Sequence, residues 1–186
     1  MDDSLVAMWP RGLRPPTVAM PEGYALRTTD IAGDDEDAVA SLVGEGTVAD
    51  YRNRALPNGW FVAVERATNR IVGTCAALHD PDGEDPRFPF GGRVAALAVD
   101  SAHRERGVGR ALAAAATRRL LDAGYDSVRV RAPASATPAL HVAVTAGYAP
   151  CVVADGDVGR WRAAFDAIGL PFDPSQCVRH DGDSGA

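Results

Sequence analysis

No stretch of this chain restricts its fold as tightly as Leu97-Ala-Val-Asp-Ser-Ala-His-Arg-Glu-Arg-Gly-Val-Gly-Arg-Ala-Leu. An apolar, strand-like run passes into a glycine-bearing turn. The turn opens an amphipathic helix over residues 107–123, which Gly124 ends. The first turn of any helix carries unpaired N–H groups and the positive end of its dipole. Gly107 and Gly109 remove side chains that would hold a phosphate away from those donors, and Arg104, Arg106 and Arg110 add charge around the same point. Physically, this is a cradle for a diphosphate.

The type of cradle follows by elimination. The phosphate loop GxxxxGK[ST] is excluded, because the chain contains no Lys. The dinucleotide fingerprint GxGxxG fails at Leu112, where its third small residue belongs. What fits is [QR]xxGx[GA], through Arg104, Gly107 and Gly109, directly after a Leu-Ala-Val strand.

The rest of the chain reads as mixed α/β on one sheet. Residues 1–22 hold Pro10, Pro15, Pro16 and Pro21 without a hydrophobic period, and are expected as a flexible arm. A short strand starts at Tyr24, and Thr29-Asp30 gives a cap signal for an acidic helix from Asp34 to Val43. A second helix covers residues 48–54. Strands from Trp60 to Glu65 and from Arg70 to Leu78 flank the hairpin turn Ala67-Thr68-Asn69. Residues 80–92 are expected as a long acidic loop, either simply solvated or, through Asp82, Glu84 and Asp85, steering a cationic partner. Further strands are expected at 93–99, 127–131 and 148–154, with helices at 138–146 and 158–168, then a polar tail. On the last helix, Trp161, Phe165 and Ile168 share a face that should pack on the chain's own core.

Length and composition exclude several classes. At 186 residues, one domain with short appendages is expected, with a core that needs neither disulfides nor metal. The division is 1–22 arm, 23–155 domain, and 156–186 helix and tail. A net charge of -6 argues against non-specific nucleic-acid binding. Cys75, Cys151 and Cys177 form no CxxC pair, so neither a disulfide framework nor a zinc site is expected, and Cys151 reads as a buried small hydrophobe. There is no membrane-length apolar run and no signal-peptide pattern at Met1-Asp2-Asp3, which predicts a cytoplasmic protein.

With Arg104, Gly107 and Gly109 after the Leu97–Val99 strand, and Gly147-Tyr148 closing a later helix, residues 23–155 resemble the Gcn5-related N-acetyltransferase (GNAT) superfamily. The resemblance implies the GNAT fold, acetyl-CoA as cosubstrate and no metal. Leu97, Ala98 and Val99 would offer backbone groups to the pantetheine arm as an extra strand does. Arg104, Glu105, Arg106, Gly107, Val108, Gly109 and Arg110 would hold the pyrophosphate. An amine acceptor would attack the thioester directly, its carbonyl polarised by a backbone N–H, that of Val99. Many members carry an Asn, a Tyr and, in one branch, a Glu at positions that are Ala136, Ala143 and Arg131 in this sequence. The family's last strand hairpin is not evident, and a helix around Trp161 stands in its place. Two residues are candidates for the missing proton donor, each against a plainer role. A helix-surface histidine is the commoner outcome at His141, and an aromatic at the position of Tyr148 is usually core. Asp100 reads as the cap of the following turn. The expected function is an N-acetyltransferase acting on a primary amine. The alternative is a non-catalytic acyl-CoA-binding or interaction protein, and a homodimer stays open.

Overall fold

A computed structural model describes residues 4–80 and 91–179, so most of the acidic loop lies outside the described residues. The chain forms β1 (Ser4–Met8), β2 (Tyr24–Thr28), α1 (Asp34–Val43), α2 (Glu45–Arg52), β3 (Ala55–Glu65), β4 (Arg70–Asp80) and β5 (Gly91–Val99). It continues through α3 (Val108–Asp122), β6 (Val128–Pro133), α4 (Thr137–Ala146), β7 (Ala149–Val152), α5 (Asp157–Ile168) and β8 (Val178–Arg179). All eight strands share one mixed sheet, in the order β2-β3-β4-β5-β6-β1-β7-β8. The left half is an antiparallel meander from β2 to β5. The right half is made by crossovers: α3 carries β5 to a parallel β6, and α5 carries β7 to a parallel β8.

Alternation along the strands divides the core into two layers. On β3, Phe61 and Ala63 face the large cluster under α3, α4 and α5, while Trp60, Val62 and Val64 face a smaller one under α1 and α2. Helix α3 buries nine of its fifteen residues, five of them the alanines Ala111 and Ala113–Ala116. Small side chains let it lie close against the sheet. The single polar residue buried there, Thr117, donates to Ala113 O at 2.7 Å. At the foot of the sheet, buried Asp80 binds Arg129 at 2.6 Å and also pairs with Arg54.

Two expectations are corrected, and one expected absence finds its cause. Residues 4–8 are no flexible arm: they form β1, an interior strand antiparallel to both β6 and β7, with Leu5, Ala7 and Trp9 in the main core. An interior strand is apolar on both faces, so Ser4–Met8 shows no alternation to reveal it. The absent C-terminal hairpin is explained by the same strand. The antiparallel neighbour of β7 comes from the N-terminus, and the chain after β7 forms a helix instead. Finally, Thr29-Asp30 does not cap α1. Gly33 is its N-cap, and Thr29 Oγ1 accepts from Ile31 N at 3.1 Å to close a local turn. The polar tail also adds a short strand, β8, at the edge.

Candidate active site

Strands β5 and β6 run side by side for only three residue pairs, the last being Val94 with Val130. Above that point β5 stays paired to β4, and β6 to β1. The two strands therefore part, and the gap opens toward the C-terminal end of β5. A bulge drives the divergence: the β4–β5 register shifts between Thr74 and Ala76, and Ala96 takes φ 51°. Left-handed backbone is unusual for an alanine, and a bulge bends the strand that carries it. Asp100 N donates to Val72 O at 2.8 Å, on the β4 side. Because amide directions alternate along a strand, the N–H and C=O groups of Val99 and Leu97 face the gap, and those of Ala98 face β4.

The turn that follows is tightly organised. Asp100 caps a one-turn 3-10 helix, Ser101–His103, by accepting from Ala102 N at 2.9 Å, as the sequence suggested. Glu105 has φ 60° and Gly107 has φ 83°, so left-handed residues flank Arg106 on both sides. Alternating handedness of this kind turns successive N–H groups toward one side and forms an anion-binding nest. Gly107 is the N-cap of α3, whose helical bonding begins with Ala111 N to Gly107 O at 3.1 Å. The N–H groups of Val108, Gly109 and Arg110 are left without intrahelical partners. A Cβ on Gly109 would stand 3.5 Å from both Val99 Cγ2 and Val142 Cγ2, so this glycine lies where β5, α3 and α4 meet. Arg104 folds back, its Nε donating to Val99 O at 3.0 Å.

Two residues beside this turn carried no signal in the sequence. Tyr24 Oη lies 2.9 Å from His103 Nδ1 and 3.3 Å from Arg106 Nη1. Tyr24 and Arg106 stand 82 positions apart, so only the fold brings them together.

The two candidate proton donors lie in opposite environments. His141 is exposed on α4. Tyr148 is 3% exposed, packs edge-on against Trp9, and its hydroxyl lies 2.5 Å from Thr117 Oγ1. The Thr117 hydrogen is committed to Ala113 O, so the Tyr148 hydroxyl donates to Thr117. Burial pushes the Tyr148 phenol far above its ordinary range. The hydroxyl is thus a core group, with its one proton already engaged. Ala143 is buried in the core, Ala136 is the N-cap of α4, and Arg131 stands on β6 opposite Val6 of β1. Cys151 is buried, as expected. No group of three or more His, Cys, Asp or Glu residues among those described could hold a metal ion. No described helix is long and apolar enough to cross a membrane.

A sequence model described as "Acetyltransferase (GNAT) family" matches residues 29–148, well over half of the chain. The chain belongs to the GNAT family. This GNAT chain is also similar to the mycothiol acetyltransferase of Rhodococcus erythropolis (strain PR4 / NBRC 100887), at 28% identity over 151 residues, covering 72% of this chain and 49% of that protein. It therefore spans about half the length of the curated relative it matches. Among solved structures, a GCN5-related N-acetyltransferase from Sphaerobacter thermophilus aligns with TM-score 0.59 and 24% identity, over 79% of this chain and 48% of the other. A tandem GNAT protein from the clavulanic acid biosynthesis pathway aligns with TM-score 0.57 and 18% identity, over 79% and 50%. These structures share the GNAT fold with this chain.

Proposed function

We propose that this GNAT chain is an acetyl-CoA-dependent N-acetyltransferase that acylates a primary amine of a small molecule or protein. The observation that carries the reading is the parting of β5 from β6 directly below the nest and helix start at residues 104–110. An extended pantetheine arm can add to the edge of β5 at Leu97 and at the Val99 N–H, the Val99 carbonyl being held by Arg104, as a peptide adds to a sheet edge. The diphosphate then meets the N–H groups of Val108, Gly109 and Arg110, the nest around Arg106, and the charges of Arg104 and Arg110. The residues fit that group, since the helix start leaves its first N–H groups unpaired and neither Gly107 nor Gly109 carries a side chain beside them.

Acetyl-CoA supplies an activated thioester, whose thiol, with a pKa of ~8.5, is a tolerable leaving group without a protein acid. The chain supplies orientation and polarisation. Val99 N–H, turned into the gap, is the donor for the developing oxyanion. Holding a free amine against the thioester can contribute most of the acceleration through effective molarity. Neither His141 nor Tyr148 is needed, and the burial of Tyr148 supports a mechanism without a dedicated acid. Ala136, Ala143 and Arg131 at the positions where many members carry Asn, Tyr and Glu support it too. The curated relative is named for acetylating mycothiol, which favours a small-molecule acceptor.

The test is direct. Acetyl-CoA should stabilise the protein against heat more than NAD or ATP does, and CoA should be released with at least one member of a panel of amines. The pH–rate profile should show one ascending limb, from deprotonation of the amine. Equal stabilisation by all three nucleotides would overturn the cradle. Tight acetyl-CoA binding with no turnover would make the chain a non-catalytic acyl-CoA-binding protein.

A further inference from the structure

The β-turn that leads into β2 bears on the cradle at two consecutive residues. Its first residue, Pro21, lies against Gly107, with Pro21 Cγ 3.5 Å from where a Cβ would stand. Its last residue, Tyr24, closes the turn by Tyr24 N to Pro21 O at 3.2 Å and reaches Arg106 through its hydroxyl. Tyr24 itself is firmly held. It is 6% exposed, its carbonyl accepts from Arg66 Nε at 3.0 Å, and its ring meets the His103 ring edge-on, at 5.7 Å between centroids. Glu65 Oε1 stands 4.0 Å from the same ring nitrogen, His103 Nδ1.

Hydrogen accounting gives this cluster a direction. A guanidinium can only donate, so Arg106 Nη1 gives a hydrogen to Tyr24 Oη. The phenol has one hydrogen of its own, and His103 Nδ1, at 2.9 Å, is placed to accept it when the imidazole is neutral. With the imidazole in its neutral Nε2–H tautomer, the chain of donors runs Arg106 to Tyr24 to His103. A long, exposed arginine in a turn loses considerable rotamer freedom when it binds an anion. Arg106 has part of that freedom removed beforehand.

We propose that Tyr24 and His103 are positioning residues that pre-set Arg106 for the cofactor diphosphate, acting through the guanidinium and not through any contact with the reacting atoms. This inference rests on the reading of residues 104–110 as the pyrophosphate site. It extends that reading to a turn and an edge strand lying some eighty residues earlier in the chain.

The experiment is a double-mutant cycle on acetyl-CoA binding, followed by titration calorimetry and amine turnover. Tyr24→Phe removes only the hydroxyl and keeps the ring against His103. It should raise the Kd and KM for acetyl-CoA about fivefold to tenfold. The kcat should stay within about twofold, because no reacting atom is touched. In an Arg106→Met background the same change should have almost no further effect, an outcome that general loosening of the fold would not produce. His103→Asn, which keeps an acceptor near the Nδ1 position, should bind more tightly than His103→Leu. Binding by Tyr24→Phe equal to wild type, or an undiminished loss in the Arg106→Met background, would overturn the inference while leaving the cradle standing. Failure of the wild-type protein to bind acetyl-CoA at all would overturn the cradle and this inference together.

Discussion

Tyr148 and Asp35 illustrate how burial decides what a titratable side chain can do. Tyr148 holds one hydrogen bond, to a threonine whose own proton goes elsewhere. Tyr148→Phe therefore removes one bond without orphaning a donor, and should cost about 1 kcal/mol in urea unfolding, with kcat essentially retained. A loss of turnover larger than the loss of stability would restore a catalytic role for the hydroxyl. Asp35 lies near the surface, where Arg27 grips it with two 2.7 Å bonds and holds its carboxyl down at about 2. A carboxyl depressed in the folded state stabilises the fold above its unfolded pKa of ~3.9 and loses that contribution as pH falls toward the folded value. Solvent screening limits the pair to under about 1 kcal/mol. Asp35→Asn should accordingly lower unfolding free energy slightly at pH 7, and the difference from wild type should shrink toward zero by about pH 2. A difference that stayed constant over that range would mean that Asp35 acts through something other than its charge.

At the scale of elements, α3 does two jobs that pull its sequence in different directions. Its body is alanine-rich and buried, which serves packing, while the function proposed above requires its first turn to stay open to an anion. Gly109 is the point of conflict. Alanine there would meet Val99 and Val142 only at ordinary contact distance, 3.5 Å, and would favour the helix by about 0.5–1 kcal/mol. We therefore expect Gly109→Ala to melt at the same temperature as wild type or higher when unliganded, yet to lose most of its stabilisation by acetyl-CoA. Measuring both melting temperatures with and without the ligand separates the two effects, and undiminished stabilisation would move the pyrophosphate elsewhere. The helices, the hairpin and the strand-to-helix turn at 104–110 were legible in the sequence because each has a local signature: a glycine stop, a turn tripeptide, a strand–Gly–helix junction. The parting of β5 from β6 was not, since nothing in Ala95-Ala96 marks a bulge that depends on register with β4.

At the scale of the whole molecule, β1 reorders the sheet. It fills the slot between β6 and β7, and residues 9–23 then cross the fold to reach β2 at the opposite edge. Along the way Val18 and Met20 pack on the main core. Removing residues 1–9 would strip two ladders and leave the neighbours of Leu5, Ala7 and Trp9 exposed. We expect the shortened chain to show no cooperative thermal transition by circular dichroism, because an interior strand cannot be lost without opening the core on both sides. A shortened chain that melts cooperatively near the wild-type temperature would mean that the strand is dispensable.

The sequence by itself determined what depends on near neighbours: the order of helices and hairpins, the glycine-bearing turn and helix start at 104–110, and hence the GNAT resemblance. Helix stops, turn residues and the donors of a helix start are properties of a few consecutive residues, so they can be read without a fold. Tertiary structure alone decided the rest. It drew Ser4–Met8 into the middle of the sheet, gave the Tyr148 hydroxyl Thr117 as its partner, and brought Tyr24 to Arg106. Those outcomes rest on burial and on pairing between segments far apart in the chain, and apolar or aromatic residues carry no local mark of the partner they will meet.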